Sequence, residues 1–152
     1  MRECNKPAPK GEKTMSASKK GLNAQFVKKL GLFEKELTAH SITAVMTSGY
    51  RSIADQNALY AKGRSVAGSV VTKARGGYSW HNFGLAADYA FVVSGKITWE
   101  GPWASFGKIA KECGLEWGGD FKTIVDRPHV QWTAGNTLAQ MRSSVKKGKA
   151  TC

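Results

Sequence analysis

Leu22, Phe26, Leu30, Phe33 and Leu37 recur at spacings of four, four, three and four, which lays one apolar stripe along a helix starting near Ser18. Polar residues fill the positions between, so this helix has one face to bury and one to wet. Past His40 the period changes. Ile42, Ala44 and Met46 alternate with Thr43, Val45 and Thr47, the repeat of a strand running into Gly49. Ser52 and Asp55 have the spacing of a capping box, which opens a second helix through Ala58, Leu59 and Ala61 that Gly63 stops. Residues 63–78 carry glycines among Lys, Arg and Ser without a period, and predict a long mobile loop. The loop ends at Ser79 and His81, so it belongs at the rim of any site those residues form.

Residues 86–93 read as a strand, and Ser94-Gly95 as a tight turn into a strand at Ile97 to Trp99. Pro102 suits the first position of a helix that runs to Cys113 and is stopped by Gly114. Leu115 to Trp117 and Val130 to Trp132 are short strands. Leu138, Met141 and Val145 mark a weak basic C-terminal helix. This order predicts a small α+β domain, an antiparallel sheet flanked by helices.

The 152 residues suit one domain. A chain of that size buries roughly 70% of its unfolded surface, enough for a core without disulfides. Cys4, Cys113 and Cys152 are odd in number and lack CxxC spacing, which suggests neither a disulfide framework nor a cysteine metal knuckle. Cys113 ends an apolar helix and reads as a buried thiol. Residues 1–17 read as a disordered basic leader, 18–136 as the folded domain and 137–152 as a basic helix and tail. Residues 1–21 lack the apolar segment of a signal peptide, and the longest apolar run, Tyr89 to Val93, is too short to cross a bilayer. The expectation is a monomer made in the cytoplasm. Nine of the twelve net positive charges lie in residues 1–39 and 133–152, which favours polyanionic partners by non-specific attraction.

Candidate chemistry concentrates in Ser79-Trp80-His81-Asn82-Phe83-Gly84-Leu85-Ala86-Ala87-Asp88. It sets an imidazole and a carboxylate seven residues apart across a glycine turn, and His129 follows 41 residues later in Asp126-Arg127-Pro128-His129. Two His and one Asp can hold a catalytic zinc and leave its fourth position open. Strand alternation puts Ala86, Asp88 and Ala90 on one face, and His129 and Gln131 on one face of the last strand, so pairing of the two strands brings these groups together with His81. His40 lies between a helix and a strand and reads as structural.

Ser79-x-His81-x-x-Gly84-x-Ala86-x-Asp88, with Ser48-Gly49-Tyr50-Arg51-Ser52 before it and Asp126-x-x-His129 after it, resembles the VanY-type D-alanyl-D-alanine carboxypeptidases. It looks still closer to their relatives, the L-alanyl–D-glutamate endopeptidases of phage endolysins and bacterial autolysins. The resemblance runs from about Leu22 to Trp132. It implies a hedgehog/D-Ala-D-Ala-peptidase-like fold with Zn2+ held on the sheet by His81, Asp88 and His129. It makes Asp126 the catalytic base, with Glu116 and Asp120 as competitors, and Arg51 the stabiliser of the oxyanion, or else a cap or salt bridge next to the Ser52 helix. Gln56 and Ser79 are candidates to hydrogen-bond the substrate peptide. Trp117, with Trp80 and Trp132, could wall the cleft, although aromatic residues at such positions are more often plain core.

The implied function is a zinc peptidoglycan peptidase, an endolysin cutting the stem peptide at L-alanyl–D-glutamate and acting on the wall after release. The basic ends, with Lys146, Lys147 and Lys149, are then candidates to attract anionic envelope polymers. A D-alanyl-D-alanine carboxypeptidase is the nearest rival. A non-catalytic wall- or nucleic-acid-binding protein is the other. Against specific nucleic-acid binding, the aromatic residues are not interleaved with the basic runs.

Overall fold

The computed structural model describes residues 16–146. Most of the expected leader, together with Cys4, Lys147, Lys149 and Cys152, lies outside the described residues. Nine regular elements follow in order: α1 (Ala24–Ala39), β1 (Ala44–Ser48), α2 (Ile53–Ala61), β2 (Ala86–Val93), β3 (Lys96–Thr98), α3 (Trp103–Glu112), β4 (Glu116–Trp117), β5 (His129–Gln131) and α4 (Leu138–Lys146). Two short 3-10 turns, Trp80–Phe83 and Gly118–Asp120, have no counterpart in the periodicity.

The apolar stripe of α1 is buried as expected at Phe26, Leu30, Phe33 and Leu37. The helix begins later than its stripe, because the Asn23 side chain accepts from the amides of Gln25 and Phe26 and so caps it there. Leu22 is buried just ahead of the cap. At α2 the Ser52 hydroxyl accepts from the Asp55 amide at 3.0 Å. Ser94 and Gly95 both have positive φ, 53° and 76°, a two-residue turn that pairs Val93 with Lys96 and starts β3 one residue early.

The strands form one antiparallel sheet in the order β1-β2-β5-β4, with β3 also pairing β2. Alternation on β2 divides its side chains. Ala87, Tyr89 and Phe91 enter the main core with α1 and α3, while Asp88 faces the other way. Phe33, Tyr89, Phe91, Trp103 and Phe106 interlock there mostly edge to face, with centroids 4.3–6.0 Å apart. This packed side is the rigid backing for the polar groups on the sheet's opposite face.

Residues 63–78 form no regular element, but the second half of the stretch is pinned. Ala74 accepts from Gln56, the Gly76 amide donates to Asn57, and Gly77 is held by Asn82 and Arg142. Leu138 and Met141 of α4 pack on the core, and the Arg142 guanidinium lies 3.8 Å from the Tyr78 ring, so α4 docks beside this loop. Among the described residues, no helix is long and apolar enough to cross a membrane. Cys113 caps α3 half-buried; burial, with Glu36 and Glu112 nearby, pushes its thiol up.

Candidate metal centre

Asp88 pairs with His129 in the register of β2 and β5, so two of the three expected ligands face each other across adjacent strands. His81 comes from the 3-10 turn before β2. That turn is closed by a reciprocal cap: the Ser79 hydroxyl accepts from the His81 amide at 3.2 Å, and the Asn82 side chain accepts from the Ser79 amide. Gly84 ends it at φ 70°, and a side chain there would strike the Gly21 carbonyl, so both the turn and the close approach require glycine.

The hydrogen bonds around the two imidazoles determine what they can do. His81 Nδ1 lies 2.7 Å from the Gly49 carbonyl, which only accepts, so this nitrogen carries the proton. Its Nε2 lone pair then faces Asp88 Oδ2 at 3.3 Å. His129 Nε2 lies 2.7 Å from Gln131 Oε1, and Gln131 Nε2 donates in turn to Glu116 Oε1 at 3.1 Å, which sets the amide's orientation. His129 Nε2 is therefore the donor, and its Nδ1 lone pair faces Asp88 Oδ1 at 3.2 Å.

Three acceptors thus converge with their ligand atoms within 4.8 Å of one another. Such a set repels itself unless a proton or a cation sits between its members. A tetrahedral zinc with arms of about 2.0–2.1 Å has edges of about 3.3 Å, which matches the 3.2 and 3.3 Å separations. The residues fit a metal ion. With no cation between them a proton takes that place: burial pushes the Asp88 carboxyl up, but hydrogen bonds and charge from His129 and His81, when these are protonated, outweigh it and hold the group well below the usual carboxylate range. Burial lowers the His129 pKa, yet the Asp88 hydrogen bond and charge more than reverse this and raise it.

Asp126 stands next to this triad. Its Oδ2 is 3.9 Å from His129 Nδ1 and its side chain is half exposed. Burial pushes its pKa up, the Asp88 charge adds to this, and the two imidazoles oppose it. The Asp126 amide donates to the Gly118 carbonyl at 2.9 Å, and a side chain at Gly118 would strike the Asp126 carbonyl. The two competing acids are placed differently. Both oxygens of Glu116 are engaged, by Gln131 and Thr133, and Asp120 pairs with Lys111 at 2.8 Å on the surface.

Arg51 enters from the segment joining β1 to α2. Its guanidinium donates to Ser48 Oγ at 2.9 Å and Gln56 Oε1 at 2.8 Å, and its amide donates to the His81 carbonyl at 3.0 Å. Ser48 is the register partner of Asp88, so these contacts tie the arginine to the triad. It does not cap α2, which Ser52 caps.

The three residues expected to meet substrate are otherwise occupied. Gln56 is fully buried, with its amide shared between Arg51 and the Ala74 carbonyl. Ser79 is the cap beneath His81. The Trp117 indole donates to the Arg127 carbonyl at 2.7 Å and packs against Gly107 and Gly119, where a side chain would strike its ring. All three build the scaffold rather than line the cleft. Trp80 and Trp132 pack against the core, and His40 ends α1, its ring nitrogen 2.9 Å from the Glu36 carbonyl. Sequence reasoning misses the Gly49 carbonyl, Asn82 and the Glu116–Gln131 relay. The even spacing of Gln131 from His129 is the one available signal for the relay.

A family model for D-alanyl-D-alanine carboxypeptidases matches residues 72–132, the span that carries all three candidate ligands. The peptidoglycan L-alanyl-D-glutamate endopeptidase CwlK of Bacillus subtilis is 43% identical over 101 residues, covering 59% of this chain and 60% of that protein's length. The structure of the L-Ala D-Glu endopeptidase ChiX of Serratia marcescens superposes with a TM-score of 0.57 at 28% identity, over 76% of this chain and 83% of that one. A VanY D,D-pentapeptidase from a VanB-type resistance cassette, solved in complex with Zn(II), shares the fold with a TM-score of 0.58 at 15% identity, covering 97% of this chain and 92% of that one. With the triad's geometry, these likenesses show a VanY-like fold that carries a His-Asp-His candidate metal site.

Proposed function

We propose that this chain is a zinc-dependent peptidoglycan peptidase that hydrolyses the stem peptide between L-alanine and D-glutamate. The observation that carries the reading is the convergence of three oriented acceptors, His81 Nε2, Asp88 and His129 Nδ1, beside the raised carboxyl of Asp126. The activities of CwlK and ChiX support the choice of bond.

His81, Asp88 and His129 would hold the ion, which when bound supplies Lewis acidity, lowering the pKa of water toward ~7 and polarising a carbonyl. Asp126 accepts a proton as the scissile amide is attacked and returns it to the leaving amine. Its raised pKa suits both directions of transfer. Arg51, fixed by Ser48 and Gln56, presents a permanent positive charge to the oxyanion without having to reorganise. Glu116, through Gln131, keeps the proton of His129 on Nε2.

Digestion of purified peptidoglycan with and without a chelator tests the reading. The expected products carry D-glutamate at a new N-terminus, and they disappear with the chelator. The match to the D-alanyl-D-alanine carboxypeptidase family favours a second reading, an enzyme of that type, which would release free D-alanine instead.

We further propose that the enzyme acts as an endolysin, a monomer reaching the wall after release from the cytoplasm. The net charge of +12 supports attraction to anionic envelope polymers. Replacing Lys146, Lys147 and Lys149 with Gln should weaken envelope binding at low salt. Removing residues 137–152 would be a poorer test, because it also removes Leu138 and Met141 from the core.

A further inference from the structure

Beside the triad lies a cleft of about 520 Å³ that neither the ligands nor Arg51 account for. Asp126 forms part of its wall and Phe121 another part, the Phe121 ring lying 5.7 Å from that of His129. The pinned loop supplies Val71 and Lys73. The lining holds one acid, Asp126, and one cation, Lys73; its other residues are apolar or neutral. No ion pair among the described residues engages Lys73.

The backbone beneath this lysine is held firmly. Gln56 Nε2 donates to the Ala74 carbonyl at 2.6 Å, and the Ala74 amide donates to Thr72 Oγ1 at 3.0 Å, which fixes the residues on both sides of Lys73. The same buried Gln56 holds the Arg51 guanidinium. One buried amide therefore sets the spacing between the arginine at the triad and the lysine in the cleft.

The proposed substrate gives that lysine a partner. A stem peptide continues from D-glutamate through its side-chain carboxyl, which leaves the α-carboxylate as a free charge beside the scissile amide. Asp126 repels such a group, and the Lys73 cation, which lines the same cleft, offsets the repulsion. We propose that Lys73 binds the free α-carboxylate of the D-glutamyl residue and makes the enzyme discriminate against stem peptides in which that carboxylate is amidated. The inference rests on the peptidase reading above and names a specificity determinant of that same site.

The test compares two synthetic muropeptides, identical except for D-glutamate or D-isoglutamine after L-alanine, with the full-length zinc-loaded protein. For a charge-assisted contact at a half-open site, kcat/KM should favour the acid by about tenfold in the wild type. Lys73→Met should lose that preference by slowing on the acid alone, and Lys73→Arg should keep it. Lys73 is exposed, so unchanged melting temperatures are expected to show that both variants fold. A wild type without preference, or a Lys73→Met variant that retains it, overturns the proposal. If the wild type cuts neither muropeptide at L-alanine, the peptidase reading fails and this inference fails with it, an outcome distinct from cleavage without discrimination.

Discussion

Replacing Gln56 with Leu separates an arginine held in place from one that is merely nearby. The substitution keeps most of the side-chain volume and removes three hydrogen bonds, the one to Thr72 Oγ1 a long 3.5 Å, from a fully buried position. The bond from Arg51, at 2.8 Å, has a charged donor and is worth about 1.5–3 kcal/mol, while the 2.6 Å bond to the Ala74 carbonyl is worth about 0.5–1.5 kcal/mol. Burial of the added apolar surface returns part of this, leaving a net loss of about 2–3 kcal/mol. For a chain of this length that lowers the melting temperature by about 4–12 °C.

The effect on activity should exceed the effect on stability. Arg51 keeps its bond to Ser48 Oγ but loses the second tether that fixes the plane of its guanidinium. Misplacement of such a group by about 1 Å costs up to about 100-fold in rate, so kcat/KM is expected to fall by about 10- to 100-fold. Urea unfolding gives the stability change. Hydrolysis assayed well below both melting temperatures, in saturating zinc, gives the rate per folded molecule. Ser48→Ala, which cuts the other tether, should lower the rate with a smaller loss of stability. Wild-type kcat/KM in a destabilised Gln56→Leu protein would refute the positioning argument and leave Gln56 as core packing alone.

Other perturbations separate the remaining roles. Asp126→Asn should lower kcat by about 10²–10⁴ while zinc content, read by elemental analysis, stays at one per chain; full activity would exclude Asp126 as the base. Glu116→Gln removes the charged acceptor behind Gln131 and should weaken zinc affinity by about 10- to 100-fold with little change in kcat at saturating zinc. Zinc at a thousandfold excess over its Kd should stabilise the wild type by about 4 kcal/mol, and calorimetry of Asp88→Ala should show no such shift. Tyr89 reports on alkaline stability: burial and the Glu34 carboxylate, 2.5 Å from its hydroxyl, push its pKa up. Because the folded pKa is raised, the stabilisation is complete below the unfolded value of about 10 and is lost as pH climbs above it. Urea titrations from pH 8 to 11 should therefore show a steeper alkaline loss for the wild type than for Tyr89→Phe, and coincident slopes would count against the linkage.

Two of the three candidate ligands, Asp88 and His129, are legible in the sequence because each lies on a strand that alternates locally. Alternation along β2 turns Asp88 away from Ala87, Tyr89 and Phe91, and alternation along β5 turns His129 away from Val130; one strand pairing then joins the two. Gly84 signals a tight turn, though not the 3-10 turn it closes, which spans four residues and is too short to show a period. Gln56 and Ser79 mislead for a related reason. Residue type reveals that a side chain can hydrogen-bond, but a buried glutamine on a nine-residue helix spells the same as an exposed one.

The orientation of the ligands is less legible still. His81 owes its tautomer to a backbone carbonyl 32 positions away, an acceptor that every residue type provides. His129 owes its own to Gln131, which is aimed by Glu116, 15 positions upstream on a different strand. These contacts exist only once the sheet has formed, so no local pattern encodes them. They also decide whether the lone pairs point inward. A variant could therefore preserve Ser79-x-His81-x-x-Gly84-x-Ala86-x-Asp88 and His129 intact and still lose the centre. Gln131→Leu is the sharpest instance: it keeps every ligand and removes the acceptor that holds the His129 proton on Nε2, freeing the tautomer that points a hydrogen at Asp88.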